Sequence, residues 1–382
     1  MSSGITDASA RASRYPFVLG VLLGVYTLFG LYTHLIFVRT QPDFDFYFYE
    51  DALAKARAGA DPYDIRDIGP AFLYPPPSLF VIEAFQVSAD PQVRSLLFVV
   101  VSVGIMLFII RQICRRFGYS AREVWFWYPL VLFFAPFLAT LQAGQVNLIT
   151  GLGIVLFFTS ALPWLAALGL VLAIITKVTP IAFLFYSLVR RDARTILFSF
   201  LFLAVIALAG GFRFGFDTYG TYFDVFRDLL RVFGLTQNSQ SFEAKVWMVF
   251  QPQISPAILH TSFLVYLGSL VLASGFLAIQ TQDFVPLFIV LALAVAVSPN
   301  VMWYHHYVFL LPPLLVWMAW QKLERKQILW VMTGLLIVQM DYYLLTTGLV
   351  IHLFVQLSIL RVLFQQYSKL RMTEPARRIS AV

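Results

Sequence analysis

The sequence predicts an all-α, polytopic integral membrane protein: a bundle of about twelve transmembrane helices joined by loops that carry short juxtamembrane helices. Composition is the first reason, since 60% of the 382 residues are hydrophobic, only 12% are charged, and the mean hydropathy is +0.79. Soluble domains carry about 25% charged residues. The second reason is the repetition of apolar runs close to the roughly 17–25 residues that cross a bilayer as a helix.

The predicted spans follow those apolar runs along the whole chain, which we expect to form one domain, 1–382. Pro180 and Pro286 lie near the ends of short runs and predict broken or tilted helices there. The first run is too long for a signal-peptide core, so we expect an uncleaved first helix. The predicted spans are 16–38, 93–113, 124–140, 147–161, 163–176, 178–189, 194–211, 257–279, 284–298, 306–320, 327–344 and 348–366.

Basic residues set the predicted orientation, because cytoplasmic loops are enriched in Lys and Arg. If both termini are cytoplasmic, the basic clusters at 111–122, 190–194 and 322–326 also lie inside, together with the basic tail 367–382. The segment 72–90 then cannot span, since a span there would move every later cluster outside. A loop 39–92 and a long loop 212–256 are therefore predicted on the outer face.

Nearly every polar group that is hard to explain in a membrane protein falls on that outer face. They lie in the loop 39–70, the turn 141–147, the segment 176–180, the loop 212–256 and the segment 298–307. Polar groups near membrane depth are costly unless they face a cavity or each other, so their concentration on one side predicts a functional site.

The motifs in these segments, in chain order, resemble glycosyltransferase family 87. They are DFDFYFYEDALAKARAGADPYD (43–64), YPP (74–76), QAGQVN (142–147), KVTP (177–180), QS (240–241) and SPNVMWYHH (298–306). The resemblance runs from about residue 40 to 310 and implies a GT-C-type membrane enzyme. Such an enzyme takes a sugar, typically mannose, from a polyprenyl-phosphate carrier and transfers it with inversion to a lipid or envelope glycan.

The resemblance places the catalytic base at Asp45, because Tyr49 and Ala52 follow at the family spacing. Asp43 is the rival, two positions earlier. An inverting transfer needs one carboxylate to remove the proton of the acceptor hydroxyl. The alternative for Asp45 is a structural one, the capping of a short helix over 46–58.

A divalent metal is a minor alternative for the same two aspartates. The DFD string (43–45) matches the DxD pattern of metal-dependent glycosyltransferases, and carboxylates with phosphate oxygens suit a hard cation. Nucleotide sugars are scarce on the outer face, so no cofactor is expected. The single cysteine, Cys114, excludes an intrachain disulfide and a cysteine metal site.

Two histidines and one lysine complete the predicted donor site. The resemblance matches His305, with His306 beside it and Trp303 just before, and an imidazole there can bind phosphate or orient the base while titrating near neutral pH. Hydrogen bonding to a loop carbonyl is the structural alternative. Lys177 could pair with the carrier phosphate, or snorkel to the membrane interface.

Polar side chains in the other motifs are predicted to bind sugar hydroxyls or to build the wall of the site. Gln145 and Asn147 match the family motif but could instead tie two helices together. Tyr74 opens a stiff proline turn near the base.

The loop 212–256 departs from the family pattern. Gln240 and Lys245 are predicted to bind substrate, although Ser239 stands where the family usually has Asn and Lys245 where it has Arg. Arg227 and Arg231 lie four apart on a predicted amphipathic helix over 222–233. They could attract anionic lipid headgroups or simply pair with neighbouring aspartates.

Two functional classes follow. The first is the glycosyltransferase, expected at the outer face of a bacterial inner membrane with both termini cytoplasmic. The second is a secondary transporter or lipid flippase, which would place essential polar groups near the bilayer midplane on broken helices. The concentration of polar groups in outer segments favours the enzyme. The net charge of +7 indicates attraction to membrane lipids rather than nucleic acid.

Overall fold

The computed structural model describes residues 24–28, 32, 44–63, 72–120, 127–232, 239–250, 254–299, 302–322, 324–341 and 348–379. All regular structure within these ranges is helical, which confirms the all-α prediction. The α-helices are α1 Phe44–Arg57, α2 Leu79–Glu83, α3 Pro91–Arg116, α4 Trp127–Leu132, α5 Ala135–Gln142, α6 Asn147–Thr159, α7 Pro163–Thr176, α8 Phe183–Val189, α9 Ala193–Phe214, α10 Asp217–Val232, α11 Phe242–Phe250, α12 Pro256–Thr281, α13 Val285–Val297, α14 Leu311–Trp320, α15 Arg325–Asp341 and α16 Gly348–Ile379.

Four of these helices are long and apolar enough to cross a membrane: α3, α9, α12 and α16. Only 22–44% of the most apolar stretch of each is buried in the protein, so their outer faces are available to lipid. Further apolar helices of 10–17 residues lie among them. The predicted count of about twelve spans is therefore not confirmed, and most of the predicted first span 16–38 lies outside the described residues.

Prolines divide two of the predicted spans. The run 124–140 forms α4 and α5 with a turn at Phe133 and Phe134, and Pro136 occupies the first turn of α5. The run 306–320 begins as a 3₁₀ segment, Tyr304–Leu310, and becomes α-helical only at α14, which also has proline in its first turn. Proline lacks the N–H that a continuing helix would need, so each helix restarts at its proline.

The main core surrounds α13, whose residues are buried almost all round. Next to it, α6 and α7 cross with their backbones in close approach. A Cβ on Gly153 would lie 2.4 Å from the carbonyl oxygen of Gly169, and one on Gly169 would lie 2.7 Å from that of Gly153. Small residues at such a crossing allow the backbones themselves to pack, as is common between membrane helices.

A smaller core fixes the position of α1. Phe46 lies 4.9 Å from Phe98 of α3 and 6.3 Å from Phe85, measured between ring centroids. The carboxylate of Glu50 forms an ion pair with Arg94, also on α3. In the intervening segment, predicted not to span, the longest helix is the five-residue α2. The face of α1 that carries residues 46–53 is thus held against the first turns of α3.

Candidate functional site

Asp45 lies in the first turn of α1 and faces the turn between α5 and α6. Its backbone N–H donates to the carbonyl oxygen of Ala143 at 3.0 Å, and its carboxylate accepts a hydrogen bond from the side-chain amide of Gln145. Both bonds tie Asp45 to a segment about a hundred positions later. The carboxylate is thus positioned by tertiary contacts. Its rival, Asp43, lies outside the described residues.

Gly144 makes this contact sterically feasible. Its φ is +66°, a left-handed conformation that costs other residues roughly 1–2 kcal/mol. A Cβ there would also lie 2.5 Å from the Cβ of Phe46, next to Asp45. Glycine therefore serves both the turn and the close approach of α1.

A chain of hydrogen bonds extends from Asp45 to the partly buried Tyr74 and the buried Tyr49. Because the Gln145 amide nitrogen donates to Asp45, its oxygen is free to accept from the Tyr74 hydroxyl at 2.7 Å. Tyr49 then donates to the oxygen of Tyr74, at 2.9 Å. The carbonyl oxygen of Tyr74 accepts from the hydroxyl of Tyr63 at 2.7 Å. Burial raises the pKa of both Tyr49 and Tyr74, so they stay neutral.

Lys177 lies directly after the last residue of α7, and its charge interacts with that of Asp45. Burial lowers the pKa of Lys177 to about 7, against the opposing effect of the Asp45 carboxylate. Burial likewise raises the pKa of Asp45, while the hydrogen bond from Gln145 and the charge of Lys177 lower it. The Lys177 ammonium also lies 5.1 Å from the ring centroid of Phe309. Below about pH 7 the site therefore offers a carboxylate that can accept a proton and an ammonium group within range of its charge.

His305 and His306 stand in the 3₁₀ segment Tyr304–Leu310. The backbone N–H of Trp303 donates to Nδ1 of His306 at 3.2 Å, which leaves the proton of a neutral ring on Nε2. Burial, with a contribution from Lys177, lowers the pKa of His305 to about 3 and that of His306 well below its usual range. Both lowered pKa values favour the neutral imidazole, so titration near neutral pH, which the sequence suggested, is not expected for these rings.

The backbone of His305 is fixed from two helices. Its carbonyl oxygen accepts from the Thr140 hydroxyl at 3.1 Å and from the Asn147 amide at 3.5 Å. The Asn147 oxygen and the His305 Nε2 atom are both buried and find no hydrogen-bond partner among the described residues. Buried polar atoms are nearly always paired, so these two are candidates to contact a bound polar ligand.

A mainly apolar cavity lies next to Lys177 and the histidine segment. Lys177 and His306 lie on its polar side, and Ile154, Val295 and Phe309 are among its apolar walls. Lys177, the His306 ring and an apolar cavity thus lie together, and His305 precedes His306 in the chain.

Gln240 connects the histidine segment to α16. Its backbone N–H donates to the Met302 carbonyl at 2.5 Å, and its side-chain oxygen lies 3.5 Å from the Tyr307 hydroxyl. The carbonyl oxygen of Gln240 lies 2.9 Å from Nε2 of His352. Lys245, predicted to bind substrate, is buried against Gly348 on the same side.

Sequence reasoning missed His352 and Thr140. His352 lies inside the predicted apolar span 348–366, and an ionisable residue within such a run is itself a signal of function or of a buried partner. Thr140 carries no comparable signal, since a hydroxyl in an apolar helix commonly bonds its own backbone.

The sequence left open whether Arg227 attracts lipid headgroups or pairs with a neighbouring aspartate. The structure shows an exposed ion pair between Arg227 and Asp224 at 3.1 Å.

A sequence profile of glycosyltransferase family 87 matches residues 72–299, more than half of the chain. The chain belongs to glycosyltransferase family 87. The matched range includes Tyr74, Gln145 and Lys177, whereas Asp45 precedes it and His305 follows it. Membership favours the enzyme over the transporter class.

Two curated relatives carry the same name, polyprenol-phosphate-mannose-dependent α-(1-2)-phosphatidylinositol mannoside mannosyltransferase. The protein from Mycolicibacterium smegmatis is 31% identical over 199 residues, which cover 49% of this chain and 45% of the relative. The one from Mycobacterium tuberculosis is 28% identical over 191 residues, 49% of this chain and 44% of the relative. The chain thus matches rather less than half the length of either relative.

Proposed function

We propose that this protein is an inverting mannosyltransferase that takes mannose from a polyprenyl-phosphate carrier and adds it to a membrane glycolipid. The observation that carries the proposal is the placement of Asp45: a partly buried carboxylate, oriented by Gln145, with Lys177 close enough for the two charges to interact. Membership in family 87 and the names of the two relatives support the reaction class and the donor.

Lys177 and the two histidines are proposed to bind the phosphate of the donor. A cation and neutral N–H groups are the natural partners of a phosphodiester, and charge-assisted hydrogen bonds are the stronger kind. The apolar cavity beside Lys177 and His306 has a volume of about 20 Å³, so an isoprene unit of the carrier would enter it only if its walls move apart. The donor phosphate would also raise the pKa of Lys177 and keep it charged.

Asp45 is proposed as the general base. It removes the proton from the attacking hydroxyl of the acceptor, whose oxygen forms a new bond to the anomeric carbon from the face opposite the phosphate. The bond between the anomeric carbon and the phosphate oxygen breaks, and its electron pair leaves with the polyprenyl phosphate. Lys177 stabilises the departing charge, so one carboxylate suffices, unlike the two of a glycosidase.

The acceptor is proposed to be a mannose-bearing membrane lipid. The two relatives are named for a phosphatidylinositol mannoside, a lipid whose sugar lies at the membrane surface. Tyr49, Tyr74 and Asn147 would contact sugar hydroxyls, whereas Trp303 would line the entry. The orientation predicted from the basic residues puts this reaction on the outer face of a bacterial inner membrane.

The test is transfer of labelled mannose from polyprenyl-phosphate-mannose to a mannolipid extract by the purified protein in detergent or nanodiscs. Asp45→Asn should lower the rate by roughly 10²–10⁴-fold, the usual contribution of a general base. The matched control is Asp51→Asn, which changes an exposed carboxylate of the same helix that pairs with Lys55. Retained folding is checked by thermal unfolding of each variant.

Three other outcomes are informative. Loss of activity in Asp43→Asn but not in Asp45→Asn would move the base to Asp43. Inhibition by a chelator, reversed by a divalent cation, would support the metal alternative. Absence of turnover with any polyprenyl-phosphate sugar in an acceptor-rich extract would contradict the proposal and favour the transporter.

A further inference from the structure

A second, polar cavity lies at the end of the bundle opposite Asp45. Its volume is about 280 Å³, and it is lined where α3 and α6 end and where α7 and α9 begin. Helix α7 runs from this cavity at Pro163 to the residue before Lys177. Its 14 residues rise about 1.5 Å each, so roughly 21 Å separates the two sites. The cavity therefore cannot belong to the donor site.

The cavity carries an excess of positive charge. Arg116, at the end of α3, and Arg190, just after α8, both line it. The guanidinium of Arg190 is held over the ring of Tyr186, 5.3 Å from its centroid. Asp192 is the acidic lining residue, and its carboxylate already accepts from the backbone N–H of Thr195 at 3.1 Å and from its hydroxyl at 2.7 Å.

The beginning of α7 adds to this potential. Helix α7 starts at the cavity, and the first turn of a helix presents unpaired N–H groups with a partial positive charge, whereas the start of α9 is capped by Asp192. Ser160 and Ser187 also line the cavity, and the Ser160 hydroxyl donates to the Leu162 carbonyl at 3.3 Å. Two guanidiniums and one open helix start form a set suited to a phosphate group.

Apolar side chains extend from the cavity along the lipid-facing sides of the same helices. Leu162 and Trp164 flank the start of α7 and are 51% and 46% exposed, and Leu197 on the first turns of α9 is 68% exposed. Tryptophan at such a position is typical of the membrane interface. A molecule with an anionic head and acyl tails would match both parts of this surface, whereas free phosphate would match only the cavity.

We propose that this cavity binds the headgroup of an anionic phospholipid, with its acyl chains along α7 and α9. The basic clusters at 111–122 and 190–194 place the cavity in the cytoplasmic leaflet by the positive-inside rule. That leaflet holds anionic lipids, and basic pockets between transmembrane helices bind their headgroups. The proposal concerns a site and a ligand separate from the glycosyl transfer.

The experiment measures lipid binding to the delipidated full-length protein by native mass spectrometry. Phosphatidylglycerol is the probe, and phosphatidylethanolamine, which has no net charge, is the reference lipid. Wild type should retain phosphatidylglycerol preferentially. The double change Arg116→Gln with Arg190→Gln should weaken that binding by roughly 100-fold, since one charge-assisted hydrogen bond to the headgroup phosphate contributes about a factor of ten.

The matched control is Arg111→Gln with Arg115→Gln, which removes the same charge from the same end of α3 without changing a residue that lines the cavity. It should bind phosphatidylglycerol as wild type does. An equal loss in both double variants would show that the attraction is a diffuse surface effect and would overturn the proposal. So would equal binding of the two lipids by wild type.

Thermal unfolding in nanodiscs gives a second readout that does not depend on how stable each variant is by itself. Wild type should unfold at a higher temperature in phosphatidylglycerol than in phosphatidylethanolamine. The Arg116/Arg190 double variant should lose that difference, even if it unfolds at a lower temperature than wild type in both lipids. Inorganic phosphate at equal concentration should not replace the lipid. If it stabilises wild type as well as the lipid does, the ligand is a soluble phosphate and the lipid proposal is wrong.

Discussion

The side-chain amide of Gln145 donates a hydrogen bond to the carboxylate of Asp45, a hundred positions earlier in the chain. This bond opposes the effect of burial, which raises the pKa of Asp45. It also fixes which way the amide faces, and so determines that Tyr74 donates to the other end of Gln145. One amide therefore orients both the proposed base and the tyrosine next to it.

Gln145→Leu should raise the pKa of Asp45 further, because the bond that stabilises its charged form is lost. A base works only when deprotonated, so the acid limb of the kcat/KM profile should move to higher pH. On the acid side of that limb, where the base is mostly protonated, the rate should fall about tenfold relative to wild type, since a hydrogen bond to a charged group is worth roughly 1.5–3 kcal/mol.

The measurement is the pH profile of mannosyl transfer, with Gln92→Leu, an exposed glutamine at the start of α3, as control. A uniform loss at all pH values with the acid limb unmoved would mean that Gln145 only holds the fold.

Lys177→Arg should remove an alkaline limb that wild type shows. Lys177 carries its charge below its pKa of about 7 and loses it as the pH rises through that value. If the charge binds donor phosphate, wild-type kcat/KM falls above about pH 7, because kcat/KM reports groups of the free enzyme.

Arginine stays protonated throughout this range, so the kcat/KM of the variant should not fall at alkaline pH. Lys177→Met is the companion variant and should be impaired at every pH. An alkaline limb unchanged in Lys177→Arg would assign that limb to another group and contradict the proposed role of Lys177.

The order of the sequence motifs predicted which residues lie together in the site. The hydrophobic periodicity did not predict these contacts. Asp45, Gln145 and Lys177 come together from α1, from the turn between α5 and α6, and from the end of α7. No local pattern relates those segments, since the contact depends on the Gly144 turn and on how α1 packs on α3. The predicted orientation put the three segments on one face of the membrane, and the resemblance to the family indicated that they share a site.

The predicted spans agree with the structure for the long apolar helices, whose bounds follow from the length of the apolar run. They disagree where proline or tertiary packing sets the bounds. Helices α3, α9, α12 and α16 were predicted within a few residues of their bounds, except that α16 extends well beyond the predicted 366. The run 124–140 divides at Pro136 because proline cannot continue the backbone ladder. His352 was not selected because its partner, the Gln240 carbonyl, lies in a distant loop, 112 positions away.

His352→Leu should slow the transfer without greatly weakening donor binding. Nε2 of His352 contacts the Gln240 carbonyl, and the Gln240 N–H donates to Met302, which precedes the histidine segment. Without the contact between His352 and the Gln240 carbonyl, the histidine segment Tyr304–Leu310 should be able to shift. We expect kcat to fall about tenfold with KM changed little, since small misplacement of site residues is costly.

His352→Gln is the matched variant, because its amide nitrogen can reach the same carbonyl. It should restore most of the rate. If leucine and glutamine at this position behave alike, the hydrogen bond does not position the histidine segment.

Gly144→Ala should destabilise the contact between α1 and the turn that follows α5. Alanine at φ +66° costs roughly 1–2 kcal/mol, and its Cβ would lie 2.5 Å from that of Phe46, so α1 must shift as well. Such overpacking usually costs about 1–3 kcal/mol more. The shift would also carry Asp45 away from Gln145, so activity should fall together with stability.

The control is Gly104→Ala, in the middle of α3, where a Cβ would meet nothing within 4 Å. Alanine is the better helix former there, so this variant should be neutral or more stable by roughly 0.5–1 kcal/mol. The measurement is the thermal midpoint and the transfer rate of both variants in the same lipid. A Gly144→Ala protein with the stability and rate of wild type would show that α1 does not depend on this turn for its position.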